Sequence, residues 1–307
     1  MIREKKCALV TGATGFVGSR LVRRLVAENF DVYALIRRGS GRGQLEPVIA
    51  KIGIIEHDGS TEQLIGAIGR AAPNTVFHLA SYFVGEHLPG QVTELIDSNV
   101  RFGAQLLEAM AVNGIRRLVN TGTSWQHFGN SPYRPASLYA ATKQAFEAVL
   151  DFYIDAHDFH AITLKLFDTY GPGDPRPKLF SLLQQMAATG TVLDLTAGEQ
   201  LIDLVYIDDV VEAFLSAGNR LLRGESHARE EYAVSSGSVV PLRQLVATYG
   251  RVLGADLTVR WGARAYRARE VMVPWSTGEP IPGWSPKVPL EEGIRRIGSY
   301  DPAGEVR

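Results

Sequence analysis

Two residues four positions apart have side chains suited to proton transfer. The segment Tyr-Ala-Ala-Thr-Lys begins with Tyr139 and ends with Lys143. Positions i and i+4 share one face of a helix. A free phenol, with a pKa of about 10, is a weak proton donor or acceptor at neutral pH. An adjacent ammonium stabilises the phenolate and lowers that pKa. The pair therefore predicts general acid–base catalysis, although such a pair alone is usually a surface feature.

Three glycines near the N-terminus have the spacing of a phosphate-binding loop. Gly12, Gly15 and Gly18 follow the apolar run Ala8–Val10. Gly12 permits a tight turn, Gly15 lets the backbone approach a pyrophosphate, and Gly18 allows close packing of the next helix. Glycines also punctuate ordinary turns, but the flanking strand and helix favour a dinucleotide site at the helix N-terminus. Lys143 has donors to spare for the nicotinamide ribose.

The end of the second strand predicts which dinucleotide binds. An acidic residue about 20 positions after the glycines would bind the adenosine ribose hydroxyls, but Arg37 and Arg38 stand there instead. A guanidinium pair binds a 2′-phosphate, so the sequence favours NADP(H) over NAD. The alternative is an ordinary solvated basic loop. Asp58, after the third strand, is a candidate for the adenine edge.

The composition argues for an ordinary globular enzyme. The chain has 307 residues, 45% hydrophobic and 21% charged, with a net charge of −1. Near-neutral charge gives no case for nucleic acid or an anionic membrane as a partner. The single cysteine, Cys7, excludes an internal disulfide and a cysteine-rich metal site, and we expect no metal. The sequence shows no signal peptide and no apolar run long enough to span a membrane, which predicts a cytoplasmic location.

Short apolar runs alternate with helix-length segments in the first half. The predicted strands are Cys7–Thr11, Asp31–Ile36, Ile52–Glu56, Thr75–Leu79, Arg117–Thr121 and Ala161–Leu166. The predicted helices are Phe16–Glu28, Thr61–Ala71, Val92–Asn113 and Leu138–Ala156, followed by Lys178–Thr189, Asp208–Asn219, Leu242–Leu253 and Leu290–Ile297. This alternation predicts an α/β fold with a doubly wound parallel sheet. We expect a first domain over residues 1–167 and a small mixed lobe over 168–307, with 202–218 returning to the first domain.

Taken together, these segments resemble the extended short-chain dehydrogenase/reductase family. Five segments carry the resemblance: TGATGFVG, VFHLAS, YAATK, LFDTYGPGDPR and LVYIDDVVEAF. It implies a Rossmann domain that binds NADP(H), a small C-terminal substrate lobe and a nucleotide-diphosphate sugar as substrate. It also implies cofactor contacts from the glycine loop, the fourth strand and the Tyr–Lys pair, namely Gly12, Thr14, Gly15, Phe16, Val17, Gly18, Leu79, Ala80, Ser81, Tyr139 and Lys143.

The family needs a hydroxyl at the end of the fifth strand. Counting along the strand gives Thr123, which we favour, and counting back from Gly129 gives Ser124. The dehydratases of the family carry an Asp-Glu pair after this hydroxyl, whereas Ser124 and Trp125 follow Thr123 here. This argues for simple reduction. Trp125, Gln126 and His127 either line the sugar pocket or form a packed loop wall, and Ser124 and Trp125 are candidate substrate contacts.

The sequence departs from the family pattern where substrate is bound. The usual arginine and asparagine of the RxxNxYGP segment are Lys165 and Asp168, and the stretch 200–203 lacks the basic residue that meets a diphosphate. Asp168 either contacts substrate or orders its loop. Arg267 resembles the family's other diphosphate-binding arginine, and Arg176 and Lys178 are further candidates, although each could be an ordinary surface charge.

Within the family, the sequence looks most similar to the 4-ketoreductases of CDP- and dTDP-4-keto-6-deoxyhexoses. The resemblance implies NADPH-dependent reduction of a C4 ketone, with Tyr139 as acid and Thr123 and Lys143 assisting. One alternative is an epimerase with tightly bound NAD(P). Another is a non-enzymatic dinucleotide sensor, which would not need the Tyr–Lys pair. We also expect a homodimer formed by the helices Val92–Asn113 and Leu138–Ala156.

Overall fold

The apolar runs form strands of one parallel sheet and a smaller lobe. The computed structural model describes residues 6–300, so residues 1–5 and 301–307, the outer ends of the two expected domains, lie outside it. The strands are β1 Cys7–Thr11, β2 Asp31–Arg37, β3 Ile52–His57, β4 Thr75–His78, β5 Arg117–Thr123, β6 His160–Leu166, β7 Asp168–Tyr170, β8 Leu193–Leu195, β9 Leu201–Tyr206, β10 Arg229–Val234, β11 Val239–Pro241 and β12 Val259–Trp261. The α-helices are α1 Phe16–Ala27, α2 Thr61–Ala71, α3 Val92–Ile96, α4 Phe102–Val112, α5 Leu138–His157, α6 Leu179–Thr189, α7 Ile207–Arg223, α8 Leu242–Leu253 and α9 Leu290–Gly298.

The main sheet has the strand order β10-β6-β5-β4-β1-β2-β3, and every neighbouring pair is parallel. The order reverses between β1 and β4. In open sheets of this kind, ligands bind beyond the carboxyl ends of the strands at such a reversal. The doubly wound α/β fold predicted from the sequence is therefore confirmed, and its binding edge lies where the glycine loop leaves β1.

Helices cover both faces of the main sheet, which explains why most residues of its central strands are apolar. One apolar cluster joins alternate β1 residues such as Ala8 and Val10 to Phe214 of α7. The other joins Leu9 to Leu106 of α4 and Phe146 of α5. Burial on both faces fixes the direction of every side chain, so the carboxyl ends of the strands are presented in a defined order.

The second half builds a lobe and then returns to the main sheet. In the lobe, β7, β9 and β11 form a mixed three-stranded sheet, and β8 pairs with β12. Helix α7 packs against α1 and β4–β6, and β10 pairs with β6 at the sheet edge. Strand β10 was not predicted, because it begins with the three charged residues Arg229, Glu230 and Glu231 and so lacks the apolar run that marks the other strands. An edge strand tolerates such charges because it is not enclosed on both sides.

The segment predicted as one helix over Val92–Asn113 is interrupted. Between α3 and α4, residues Asp97–Arg101 form a π-helical turn around the buried Asn99. The Asn99 amide donates to Thr142 Oγ1 at 2.9 Å and to the Tyr82 carbonyl at 3.0 Å. A local widening of this kind shifts the side-chain register without ending the helix. The spacing of the apolar residues in the sequence does not reveal such a change.

Candidate active site

The glycine loop forms a close backbone cradle at the start of α1. Gly12 has φ of +66°, and a Cβ there would lie 2.7 Å from the Ala80 nitrogen. A Cβ at Gly18 would clash with the Gly12 carbonyl, whereas one at Gly15 would meet only that carbonyl, at 3.2 Å. Gly15 therefore keeps open the space in front of the helix N-terminus. The geometry fits the predicted role of this loop as a pyrophosphate cradle.

Two adjoining cavities lie at the carboxyl edge of the sheet. The larger, of about 810 Å³, is lined by Gly12, Thr14, Gly15, Arg37, Arg38, Asp58, Leu79, Ala80 and Ser81, among others. The smaller, of about 240 Å³, is lined by Phe16, Val17, Gly18, Thr123, Ser124, Trp125 and Tyr139, among others. The structure thus brings the predicted cofactor residues to one edge, with Lys143 as the exception. The larger cavity has the volume of a cofactor site.

Arg37 and Arg38 lie exposed at the far end of the larger cavity. Within residues 6–300, neither forms an ion pair within 4.0 Å, whereas the neighbouring Arg42 pairs with Glu56. The Asp58 carboxylate accepts hydrogen bonds from the Ser60 amide at 2.9 Å and the Ser60 hydroxyl at 2.8 Å. These bonds hold the pKa of Asp58 below its usual value. Both guanidinium groups are therefore available to an anionic ligand.

Tyr139 lies in the first turn of α5, which Ser137 caps through a 3.3 Å bond from the Ala140 amide. Burial raises the pKa of Tyr139 to about 12, and the neighbouring Ser81 hydroxyl and the charge of Arg176 oppose this effect. The sequence predicted a net lowering by Lys143, and the structure shows the opposite. Desolvation of the phenolate outweighs the nearby charges. The phenol thus keeps its proton throughout the physiological pH range.

Lys143 lies one turn further along α5 and is 2% exposed. It lines neither cavity. Burial lowers its pKa to about 8, and the carboxylate of Glu147 opposes this effect. The predicted contact between Lys143 and the nicotinamide ribose stays a prediction, because the side chain is buried away from the lining of both cavities.

Thr123 and Ser124 both line the smaller cavity and are almost equally buried, at 7% and 8% exposure. Thr123 Oγ1 accepts a 3.3 Å hydrogen bond from the Trp125 amide and so caps the turn that follows β5. The Ser124 hydroxyl makes no hydrogen bond to any residue in the described range 6–300. Ser124 therefore competes with Thr123 as the reacting hydroxyl, and the choice between them stays open.

Five of the predicted substrate residues line a third cavity, of about 580 Å³, namely Trp125, Asp168, Arg176, Lys178 and Arg267. The sixth, Ser124, lines the smaller cavity instead. Each cation of the third cavity has a carboxylate partner. Arg176 is held by Asp174 through bonds of 2.7 and 2.6 Å, and Lys178 lies 3.4 Å from Asp168.

Arg267 bonds both oxygens of Glu270 at 3.0 Å. The sequence analysis missed Glu270, although its position three residues after Arg267 could have indicated the pair. A substrate phosphate at any of these cations must share it with a carboxylate.

Two aromatic rings stand beside Tyr139. Phe83 meets the Tyr139 ring edge-on, with centroids 4.9 Å apart, and lies 5.8 Å from the Trp125 ring. Phe83 is 48% exposed and lines both the smaller and the third cavity. Phe83 was not predicted from the sequence, because a single aromatic residue in a loop belongs to no periodic pattern of apolar residues. These rings give the cleft an apolar wall next to the phenol.

Between residues 6 and 300, every helix is too short or too polar to cross a membrane. The same residues contain no cluster of three or more His, Cys, Asp or Glu side chains arranged to hold a metal ion.

The glycine cradle, the strand reversal and the tyrosine–lysine helix together define a dinucleotide-dependent class of α/β enzyme. Residues 8–231 match the model of the NAD dependent epimerase/dehydratase family. The chain belongs to this family, which confirms the resemblance drawn from the motifs.

Curated relatives and solved structures agree with this membership. The chain is 29% identical to a UDP-glucose 4-epimerase of Mycolicibacterium smegmatis, covering 94% of this chain and 96% of the relative. It is 25% identical to a CDP-abequose synthase of Salmonella muenchen, covering 97% and 98%. The structure of a Thermus thermophilus UDP-glucose 4-epimerase in complex with NAD superposes with a TM-score of 0.79, at 26% identity over 95% and 97% of the two chains.

Proposed function

We propose that the protein is an NADPH-dependent reductase of the C4 ketone of a nucleotide-activated 4-keto-6-deoxyhexose. The observation that carries the proposal is the pairing of two features along one edge. Tyr139, with a phenol that burial keeps protonated, lines the smaller cavity. Arg37 and Arg38, which have no carboxylate partner within residues 6–300, line the adjoining larger cavity. The proton donor suits reduction of a ketone, and the two guanidinium groups suit the 2′-phosphate that distinguishes NADPH from NADH.

The chain's residues supply binding, orientation and the proton. The dinucleotide supplies a hydride when it is bound. Tyr139 donates its proton to the oxygen that develops negative charge at C4, and the hydroxyl of Thr123 or Ser124 hydrogen-bonds that same oxygen. Lys143 stabilises the phenolate that remains. The glycine loop and Ser81 hold the cofactor against this site.

Reduction is favoured over dehydration by the residues after the hydroxyl. Removal of water from a hexose in this family needs a carboxylic acid and a carboxylate next to the hydroxyl, and Ser124 and Trp125 occupy that place. The smaller cavity has one acidic residue in its lining, Asp168, which lies 3.4 Å from Lys178. The CDP-abequose synthase relatives match nearly the full length of the chain and support the same reaction class.

We assign the substrate diphosphate to Arg267. Its guanidinium lies over the Trp125 ring at 5.3 Å and faces the third cavity. Arg176 is less available, because it also donates to the Thr169 carbonyl at 3.0 Å and stacks on Phe16. Asp168 acts indirectly in substrate binding, because its carboxylate balances the charge of Lys178 near the sugar. A diphosphate would replace Glu270 on Arg267.

A second candidate is epimerisation at C4 with a retained dinucleotide. It is favoured by the UDP-glucose 4-epimerase of M. smegmatis, which is 29% identical. An epimerase leaves the cofactor unchanged over a full cycle, so the two candidates differ in net redox change.

The test follows NADPH absorbance with purified protein and CDP- or dTDP-4-keto-6-deoxyglucose. Steady oxidation supports the reductase, and Tyr139→Phe serves as the inactive control. Interconversion of UDP-glucose and UDP-galactose without added cofactor would support the epimerase. Tight dinucleotide binding without either reaction would contradict both and leave a sensor.

A further inference from the structure

Gln126 is a fully buried side chain directly behind the end of β5. Its Oε1 accepts a hydrogen bond of 3.0 Å from the backbone amide of Thr123. Its Nε2 donates to Gln144 Oε1 at 2.7 Å and to Glu147 Oε1 at 3.0 Å. The amide of Gln126 thus joins helix α5 to the backbone of Thr123. This backbone carries one candidate hydroxyl and leads directly into the other.

The orientation of the Gln126 amide is dictated by Glu147. An ionised carboxylate only accepts hydrogen bonds, so it must face the NH₂ group of Gln126. The Oε1 atom is then directed at the Thr123 amide. Glu147 is in turn held by Lys165, whose Nζ lies 2.8 Å from both Glu147 oxygens and 3.1 Å from Glu231 Oε2.

The packing around Gly122 shows that this network is closely fitted to β5. A Cβ at Gly122 would lie 2.6 Å from Lys165 Cδ and 3.0 Å from Gln126 Oε1. Both side chains therefore rest against the bare α-carbon of the residue before Thr123. A buried ion pair that costs desolvation is weak evidence for stability, so a positional role is the better account of it.

We propose that Gln126, fixed by Glu147 and Lys165, is a positioning residue that sets the backbone of Thr123 and Ser124 against Tyr139. The inference rests on the proposed function in that it assigns the reacting hydroxyl to this segment. Gln126 lines neither the larger, the smaller nor the third cavity. It acts on the reaction only through the Thr123 amide.

The first test replaces Gln126 by Leu, which keeps the volume and removes both hydrogen-bonding functions. We expect kcat to fall roughly ten- to hundredfold, the effect of a small misplacement of a catalytic group. The Kd for NADPH should change less than twofold. Asn113→Leu is the matched control, because Asn113 also donates to two carbonyls, those of Ile65 and Ala109, but far from the cleft. It should lower stability without lowering kcat.

A double-mutant cycle separates positioning from general destabilisation. In the background of whichever alanine variant, Thr123→Ala or Ser124→Ala, removes the reacting hydroxyl, Gln126→Leu should lower kcat no further. Additive losses, or an unchanged kcat in Gln126→Leu, would overturn the proposal.

Gln126→Glu covers the case in which the leucine variant does not fold. It keeps an acceptor for the Thr123 amide and donates to Glu147 only when the carboxyl pair holds a proton, so its activity relative to the parent protein should rise as the pH is lowered. A constant ratio would contradict the proposal.

Hydrogen exchange gives a readout that needs no substrate. In the protein without substrate, the Thr123 amide should exchange faster in Gln126→Leu than in the parent and in Asn113→Leu. If the parent shows no reductase activity, the proposed function fails while this measurement still decides the positioning role. Equal exchange rates would overturn it.

Discussion

Ser81, which lies just beyond β4 and not on the strand that carries Thr123, holds the pKa of the Tyr139 phenol below the value that burial alone would give. Ser81 is itself tied to the buried Asn99, at 3.0 Å between Oγ and Oδ1. The polar neighbour Ser81 thus reaches Tyr139 from the β4 side of the smaller cavity, whereas Thr123 and Ser124 line that cavity from the end of β5. This separation lets the roles of the phenol and of those hydroxyls be tested one at a time.

Replacing Tyr139 by Phe removes the proton donor and keeps the ring that packs edge-on against Phe83. We expect kcat to fall by about two to four orders of magnitude, because general acid catalysis of this kind contributes that much. The Kd for NADPH, measured by fluorescence titration, should persist. A nearly normal kcat would remove Tyr139 from the mechanism.

The pH dependence should report Lys143 and not Tyr139. Burial lowers the pKa of Lys143 to about 8 and raises that of Tyr139 to about 12. As the pH rises above about 8, the ammonium loses its proton while the phenol keeps its own, so kcat/KM should fall. In Lys143→Arg the guanidinium stays protonated, and this alkaline decline should vanish. A decline unchanged in that variant would assign it to another group.

The two hydroxyls after β5 are distinguished by a pair of alanine variants. If Thr123 hydrogen-bonds the reacting oxygen, Thr123→Ala should lower kcat on the order of a hundredfold and Ser124→Ala much less. The opposite order would show that Ser124, whose hydroxyl is unbonded within residues 6–300, is the reacting group. Both variants are compared by steady-state NADPH oxidation.

Cofactor choice is tested by Arg37→Asp. A charge-assisted contact to the 2′-phosphate should give about a ten- to hundredfold preference for NADPH over NADH in kcat/KM. An aspartate offers an acceptor to a free 2′-hydroxyl and repels a phosphate, so the preference should shift towards NADH, mainly through KM. Lys51→Asp, an exposed site with the same change of charge, is the control. Equal cofactor ratios in parent and variant would contradict the assignment and favour the epimerase.

The expected homodimer predicts a role for apolar residues on α4 and α5. Val112 and Phe152, one on each helix, are 59% and 60% exposed. If these helices pair across a two-fold axis, Phe152→Asp should yield a monomer in light scattering. Val239→Asp, on the lobe, should not change the mass. A parent protein that is already monomeric would contradict the prediction.

The sequence predicted the main sheet well because its strands obey one simple rule. Strands buried on both faces are mostly apolar, and β1, β4 and β6 follow this rule apart from a few buried polar side chains such as Thr11, His78 and Lys165. Strand β10 lies at the edge of the sheet and does not follow this rule, since its Glu231 forms an ion pair with Lys165 of β6. The π-helical turn at Asn99 was not predicted either, because it depends on hydrogen bonds to residues distant in the sequence.

The site was predictable where local spacing carries the chemistry. The glycine loop and the Tyr139–Lys143 pair are encoded within a few positions each. The contacts of Gln126 and Phe83 are not, because they follow no known motif. The carboxylate partners of the cleft cations lie only two to ten positions away, and this spacing was a signal that the sequence prediction did not use. The net pKa of Tyr139 could not be deduced either, since burial is a property of the assembled fold.

The return of α7 and β10 to the main sheet has a consequence for synthesis on the ribosome. A nascent chain that ends at residue 167 has β6 as an open edge and lacks the helix that covers Phe77 and Val119. An open apolar edge of this kind is prone to association with other chains. The nucleotide-binding half therefore cannot close until residue 234 has left the exit tunnel. A fragment that ends at residue 167 should therefore be insoluble, whereas one that keeps α7 and β10 retains the cover of this edge.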